Sequence, residues 1–290
     1  MGERRNLLVL GGVVTYNPEI ARLQENLSTL INQVDELYIF DNGSKNILEV
    51  EKILNQYADK VILKKSPSNK GIAFALKDMM EFARVKKFDW VLSVDQDTVL
   101  KSNLVDKYKN IVIHNDKDIG ILTCLIKDRN FEDISVEKQN KQLKEVPICI
   151  TSAAFTNVKK YFLTQGYDTN LFIDLVDTDI CFSFREKGFK ILRLNYLGAY
   201  HEIGHGENKK LFLKKVIVHH SAIFREYFII RNSIILHEKH PLLYPYKTLM
   251  KGLILNFLVT LFYESNKKER FQKYFKGIKD GIKLKEIYRK

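Results

Sequence analysis

Cysteine and proline are scarce in this 290-residue chain, with three Cys and five Pro, and each shortage removes a class of protein. Cys124, Cys149 and Cys181 are odd in number, far apart and without a Cys-x-x-Cys pair. That excludes a disulfide scaffold and a cysteine-held zinc site, and it fits a reducing compartment. So few prolines, with only 14 Gly, exclude collagen-like and mucin-like chains. Neither Gly-x-x-x-x-Gly-Lys-[Ser/Thr] nor Gly-x-Gly-x-x-Gly occurs, so both glycine-rich phosphate cradles are missing. The apolar run before Tyr16-Asn17-Pro18 is too short for a secretory leader, and Asn6 stands where a myristoylation site needs Ser or Thr.

What is present is globular: 45% hydrophobic and 28% charged residues exclude wholesale disorder. The length suits one large domain, or a main domain with an appendage. Charge is unevenly placed. Residues 1–206 hold 28 basic and 28 acidic side chains, whereas residues 207–290 hold 19 and 7. The whole net charge of +12 therefore lies in the last 84 residues. A neutral body with a basic end points to a polyanion, either nucleic acid or an anionic membrane surface.

The first half alternates between two hydrophobic periods. Leu7–Leu10 with Val13-Val14, Leu37–Phe40, Val61–Leu63 and Trp90–Val94 read as buried strands. Between them, Ile20, Leu23, Leu27, Leu30 and Val34 recur at helical intervals, as do Ile72, Leu76, Met79, Met80 and Ala83. Strand–helix alternation predicts an α/β fold with a mostly parallel sheet flanked by helices. It holds to about residue 123, after which 128–144 is polar and reads as a surface excursion.

In such sheets ligands bind beyond the carboxyl ends of the strands. Three polar clusters fall there: Thr15-Tyr16-Asn17, Asp41-Asn42-Gly43-Ser44 and Asp95-Gln96-Asp97. Each alone also reads as a solvated turn. Their coincidence at strand ends is what points to a site. Asp95 and Asp97 share one side of an extended chain, and neighbouring carboxylates repel unless a hard cation such as Mg2+ or Mn2+ bridges them to phosphate oxygens. Further on, Asp174, Asp177 and Asp179 precede a helix that ends near Gly188. Such acids cap helix starts, and one can also take a proton from an incoming hydroxyl. His201, beyond the apolar Ile191–Leu194, is a candidate metal ligand, with a structural histidine as the alternative.

Taken in order, Val14-Thr15-Tyr16-Asn17, Asp41-Asn42-Gly43-Ser44, Asn69-Lys70-Gly71-Ile72-Ala73, Asp95-Gln96-Asp97 and Phe172-Ile173-Asp174-Leu175-Val176-Asp177 resemble glycosyltransferase family 2. Within it they are most similar to bacterial dTDP-rhamnose-dependent rhamnosyltransferases of surface-polysaccharide assembly. The run Arg225-Glu226-Tyr227-Phe228-Ile229-Ile230-Arg231-Asn232 resembles that subfamily's Arg-x-Tyr-Tyr-x-x-Arg-Asn, with Phe228 for the second Tyr.

The resemblance, over about residues 7–235, implies a GT-A fold and inverting transfer of a sugar from a nucleoside diphosphate. It implies a catalytic domain at 1–235, with a nucleotide-sugar half to about 123 and an acceptor half after it, followed by a basic helical tail at 236–290. Thr15 and Tyr16 would then line the nucleotide pocket, and Asp41 would bind the base. Asn69, Lys70 and Gly71 would approach the nucleotide sugar, Asp95 would contact ribose or metal, and Gln96 would lie with it at the donor. Asp97 would ligate Mg2+ or Mn2+, with His201 completing its shell. Asp177 matches the family's general base, while Val176 departs from the acidic residue usual before it. Asp179 and Arg231 would bind the acceptor. The implied partners are a nucleotide-diphosphate sugar and a lipid-linked saccharide. For the donor, dTDP-rhamnose comes first, with UDP-galactofuranose, UDP-glucose or another UDP-sugar as the alternative. A homo-oligomer is compatible with these features.

The tail decides between the polyanions. Gly252–Tyr263 is 12 residues of apolar chain broken only by Asn256 and Thr260. That falls short of the ~20 residues a bilayer span needs. Phe271, Phe275, Ile278 and Ile282 mark one helical face, with Lys273, Lys276, Lys279, Lys283 and Lys285 around it. An interfacial helix on the cytoplasmic face of a membrane explains both features; a packed helix with a solvated basic face is the alternative. A nucleic-acid-binding protein lacks any recognition module here and leaves the acidic clusters unexplained.

Overall fold

The computed structural model describes residues 7–128, 142–201, 207–211, 214–218 and 220–288. Most of the expected surface excursion, and residues 202–206 after His201, lie outside them.

The alternating periods become elements in the order read: β1 (Val9–Thr15), α1 (Ile20–Leu30), β2 (Glu36–Asp41), α2 (Ile47–Leu54), β3 (Val61–Lys65), α3 (Ile72–Val85) and β4 (Trp90–Asp95). β1 pairs in parallel with both β2 and β4, and β2 with β3. The chain thus builds outward to β3 on one side of β1 and returns with β4 on the other. The β1/β4 edge is the switch point of the strand order, where α/β sheets open a binding crevice. Register there sets Val14 beside Asp95 and Thr15 beside Asp41.

The chain continues through β5 (Val99–Leu100), α4 (Leu104–Asn115), β6 (Ile119–Asp128), β7 (Leu143–Glu145), β8 (Ala154–Asn157), α5 (Val158–Tyr161), α6 (Val176–Glu186) and β9 (Lys190–His201). β8 enters antiparallel between β4 and β6, and β9 lies parallel to β6. The sheet order is β3-β2-β1-β4-β8-β6-β9-β5, with β7 also on β9. β1, β2 and β4 are buried almost throughout, which is why they read as continuous apolar runs. The core is anchored by Phe155 of β8, whose ring stacks on Trp90 at 4.7 Å and on Tyr108 at 5.3 Å between centroids.

Residues to Asn170 with Ile180 to 202 form one compact unit, and Leu171–Asp179 with 203–290 form a second. The second holds the hairpin β10 (Glu207–Leu211) and β11 (Lys214–Val218), then α7 (Ile223–Lys239), α8 (Tyr246–Tyr263) and α9 (Lys267–Leu284). The boundary expected at 235/236 falls inside α7, an unbroken helix, so no tail begins there.

The face by which α9 packs is not its run of large apolar residues. Its buried positions are Arg270, Tyr274, Gly277 and Gly281, whereas Phe275 and Ile282 are more than half exposed. Close helix packing is the reason. A Cβ on Gly277 would lie 2.8 Å from the Tyr227 carbonyl oxygen of α7, and one on Gly281 would lie 3.1 Å from that of Arg231. Two glycines four apart admit the backbone of α7, and bulky side chains are displaced to the flanks, where Phe271 meets Phe257 at 4.8 Å. Gly277→Ala should therefore lower stability by about 1–3 kcal/mol through overpacking, although Ala is favoured over Gly in an open helix by about 1 kcal/mol. The midpoint and slope of urea unfolding check this; a rise in stability would mean that the helices separate at no cost.

Candidate active site

The loops after β1, β2 and β3 are tied together by side chains at the expected positions. Asp41 is almost fully buried, and its Oδ2 accepts the Thr15 hydroxyl at 2.9 Å. Its Oδ1 accepts the amides of Gly43 at 3.1 Å and Ser44 at 2.9 Å. The carboxylate thereby shapes the Asn42–Ser44 turn. Gly43 has φ +84°, and a Cβ there would lie 2.9 Å from the Ser68 backbone, so no larger residue fits. Asn42 Oδ1 accepts the Lys70 amide at 2.8 Å, and its Nδ2 donates to Asn69 Oδ1 at 3.0 Å. Asn69 Oδ1 also accepts the Gly71 amide, at 2.8 Å. Tyr16 stays about half exposed while its amide donates to Gln96 Oε1 at 2.9 Å.

Asp95, Asp97 and His201 converge at the ends of β4 and β9. One ligand atom from each lies within 4.8 Å of the other two. His201 Nδ1 is 3.0 Å from Asp97 Oδ1 and 2.9 Å from Thr98 Oγ1, and Nε2 is 3.6 Å from Asp95 Oδ2. Burial disfavours the charged ring, but the hydrogen bond to Asp97 and the fields of Asp95, Asp97 and Asp128 outweigh it, so the His201 pKa is raised. The supports of this cluster have little sequence signal. Ser152 Oγ accepts the Asp95 amide at 3.0 Å and meets Thr98 Oγ1 at 2.8 Å. Asn26 of α1 donates to the carbonyls of Asp95 at 2.9 Å and Thr98 at 2.6 Å, which fixes the turn. Two carboxylates and an imidazole, partly exposed and rigidly backed, are a donor set for a divalent cation.

In the second unit each acid of the 174–179 segment has its own surroundings. Asp174, expected to cap α6, instead has φ +65° and is gripped by Arg225, with Nε at 3.1 Å and Nη2 at 2.5 Å from Oδ1. Asp179, expected to bind the acceptor, is about 1% exposed. It lies between Lys239 Nζ, 2.6 Å from Oδ1, and His240 Nε2 at 3.0 Å. Arg231, also expected at the acceptor, is buried with Nη2 on the Leu171 carbonyl at 3.0 Å and Nε on Asn232 Oδ1 at 2.9 Å. Both side chains are thus buried, with their polar atoms engaged by Lys239, His240, Leu171 and Asn232. Asp177, in the first turn of α6, accepts the Thr178 amide at 2.8 Å, and the Arg225 charge acts on it from beyond hydrogen-bond distance. Burial, with a smaller push from Asp174, raises its pKa against the pull of that amide.

The backbone before α6 is strained. Phe172, Asp174 and Leu175 have φ of +61°, +65° and +60°. Non-glycine residues in this region cost about 1–3 kcal/mol each and persist only where their surroundings enforce them. Asn232 supplies that enforcement, its Nδ2 donating to the carbonyls of Leu171 at 2.9 Å, Ile173 at 2.8 Å and Asp174 at 2.8 Å.

A parallel strand-switch crevice with an acidic, histidine-backed cluster at its rim is the architecture of a GT-A glycosyltransferase. Residues 12–190 match the family model Glycosyl transferase family 2, and the chain belongs to that family. It is 26% identical to the dTDP-rhamnosyl transferase RfbF of Shigella flexneri over 286 residues, 93% of this chain and 94% of that one. Two solved structures share the fold. S. aureus TarS 1-349 in complex with UDP-GlcNAc aligns with TM-score 0.60 and 14% identity, over 96% of this chain and 81% of that one. The mannosyltransferase PcManGT from Pyrobaculum calidifontis, in complex with GDP-Man and Mn2+, aligns with TM-score 0.57 and 13% identity, over 98% and 87%.

The cluster makes a direct prediction. Loss of a residue that merely supports a ligand costs roughly 10–100-fold in metal affinity, so Thr98→Val should weaken Mn2+ binding by about tenfold and Asp97→Ala by more. Titration calorimetry of the three proteins with Mn2+ reads this directly; equal affinity in Asp97→Ala would remove the cluster as a cation site.

Proposed function

We propose that the chain is an inverting, cation-dependent transferase that moves L-rhamnose from dTDP-rhamnose onto a lipid-linked precursor of a surface polysaccharide. The observation that carries this reading is the similarity to a dTDP-rhamnosyl transferase along nearly the whole of both chains. TarS and PcManGT were solved with UDP-GlcNAc and GDP-Man, but at 14% and 13% identity they speak for the fold alone. A UDP-sugar donor is therefore the alternative that an assay must separate.

In this reading Thr15, Tyr16 and the Asn42–Ser44 turn hold the nucleoside, Gln96 steadies Tyr16, and Asn69, Lys70 and Gly71 meet the diphosphate side of the donor. Asp97 and His201, with Asp95, hold Mn2+ or Mg2+, which supplies positive charge where the departing diphosphate gathers negative charge. Asp177 takes the proton of the acceptor hydroxyl as its oxygen bonds to the anomeric carbon. The bond from that carbon to the β-phosphate oxygen breaks, and the electron pair leaves with the nucleoside diphosphate. Attack from the face opposite the leaving group inverts the carbon, so no enzyme nucleophile is needed. A carboxylate whose pKa is raised by burial is a stronger proton acceptor than an exposed one once ionised.

The test is a donor screen that reads free nucleotide release with a soluble acceptor and Mn2+ or Mg2+. Asp177→Asn keeps the shape and cannot take the proton, so kcat should fall roughly 10²–10⁴-fold with dTDP affinity unchanged. Because the Asp177 pKa is raised, kcat of the wild type should decline with falling pH at values above the ordinary Asp range. Turnover with UDP-sugars and none with dTDP-rhamnose would move the assignment to the alternative donors, and full turnover of Asp177→Asn would remove the base.

We further propose that the second unit docks on the cytoplasmic face of an anionic membrane. No helix among the described residues is long and apolar enough to cross one. Yet α8 exposes Ile254, Leu255, Leu261 and Phe262, and α9 exposes Phe275 and Ile282 beside exposed Lys276, Lys279 and Lys283. Apolar side chains with lysines suit a headgroup boundary. Phe262→Ser with Phe275→Ser should reduce co-sedimentation with phosphatidylglycerol vesicles, as should high salt, while turnover on a soluble acceptor persists. Stronger binding to nucleic acid than to vesicles at equal salt would overturn this.

A further inference from the structure

The Arg225–Asn232 run has no task yet in the reaction proposed above, although it is one of the longer motif likenesses in the chain. We infer that it is a clamp that fixes the backbone leading into α6 and so positions Asp177; the inference rests on Asp177 being the base. Arg225, Phe228 and Asn232 are spaced by three and four residues, so they share one face of α7. All three reach the 171–175 segment. Arg225 forks onto Asp174, the Phe228 ring stacks on Phe172 at 5.0 Å and 15°, and Asn232 gathers three backbone carbonyls. Arg231 adds the control. Its Nε and Nη2 hold Asn232 Oδ1 at 2.9 and 2.8 Å, which turns the amide nitrogen toward the carbonyls.

None of these side chains makes a hydrogen bond to Asp177, so they are positioning residues. The carbonyls of Leu171, Ile173 and Asp174 converge on one amide group only because Phe172, Asp174 and Leu175 are left-handed. Released from Asn232, those residues would relax toward ordinary backbone and carry the first turn of α6 with them. The same helix also holds the segment beyond the base. Lys239, at the end of α7, and His240 pin Asp179 two residues after Asp177. Asp177 thus lies between two points fixed to α7, and α7 is itself seated against α9 at Gly277 and Gly281. Such backing suits a group that must meet a reacting hydroxyl within a fraction of an ångström.

The test is a double-mutant cycle on turnover. Arg225 is partly exposed, so Arg225→Gln should fold, and Asp174→Asn keeps a residue that tolerates a positive φ. Each should lower kcat by roughly 10–10²-fold, the scale of a small misplacement of a catalytic group, with dTDP affinity by calorimetry within twofold of wild type. The double variant should fall no further than either single one, because both remove one contact. Arg225→Lys should recover part of the rate, and Asn232→Ala, where it folds, should lose at least as much as Arg225→Gln. Wild-type kcat in folded Arg225→Gln, or strictly additive losses, would overturn the clamp. Asp177→Asn in the same assay separates the two claims. If it is inactive while folded Arg225→Gln turns over normally, only the clamp falls; if it retains full turnover, the base falls and the clamp with it.

Discussion

Three carboxylates lie within the six residues from Asp174 to Asp179, and they cannot all be buried and ionised without separate relief. At an effective dielectric of ~20, two such charges about 6 Å apart repel by roughly 3 kcal/mol. Each is relieved differently. Asp174 faces the Arg225 guanidinium, Asp179 is enclosed by Lys239 and His240, and Asp177 receives the Thr178 amide. Asp177 is the middle acid, and burial with a smaller push from Asp174 raises its proton affinity. Different surroundings are one way in which carboxylates of one segment come to hold different roles.

The same constraint governs the first unit with another solution. His201 is set between Asp95 and Asp97. The two carboxylates raise the ring's affinity for a proton against the opposing effect of burial. A divalent cation would compete for the same atoms and release that proton, so affinity at such a site rises with pH. Thr98, Ser152 and Asn26 back this cluster and are far more buried than Asp95, Asp97 and His201.

Much of this was legible in the sequence, and the boundary of legibility has physical causes. Strand ends are readable because a buried strand is an apolar run and its end is the first polar residue; Thr15, Asp41 and Asp95 were found that way. Ion pairs across 50 or 60 residues leave no local trace, so Asp174 read as a cap and Asp179 as an acceptor contact. The left-handed turn at Phe172, Asp174 and Leu175 was invisible because none of them is glycine, the residue that ordinarily marks such backbone. Glycine misled in the opposite sense on α9. Hydropathy ranks Phe275 above Gly277, yet it is the residue with no side chain that leaves room for the α7 backbone.

The second unit also buries more charge than its stability asks for. Arg270 is almost fully buried between Glu226 and Glu264, and its Nη2 donates to the Ser221 carbonyl at 2.8 Å. Burial raises the Glu226 pKa, Glu264 adds to that, and Arg270 opposes it. Apolar residues of similar volume would often hold helices together as well or better, because desolvating such ions offsets most of their attraction. What charges add is direction. A leucine pair tolerates a helix sliding by an ångström, whereas a guanidinium between two carboxylates and a carbonyl does not. α7 carries Glu226 into that network, Arg225 and Asn232 toward the strained segment and Lys239 to Asp179. A shift of α7 along its axis would break all four arrangements together, so its position is held far more narrowly than its hydrophobic contacts alone require.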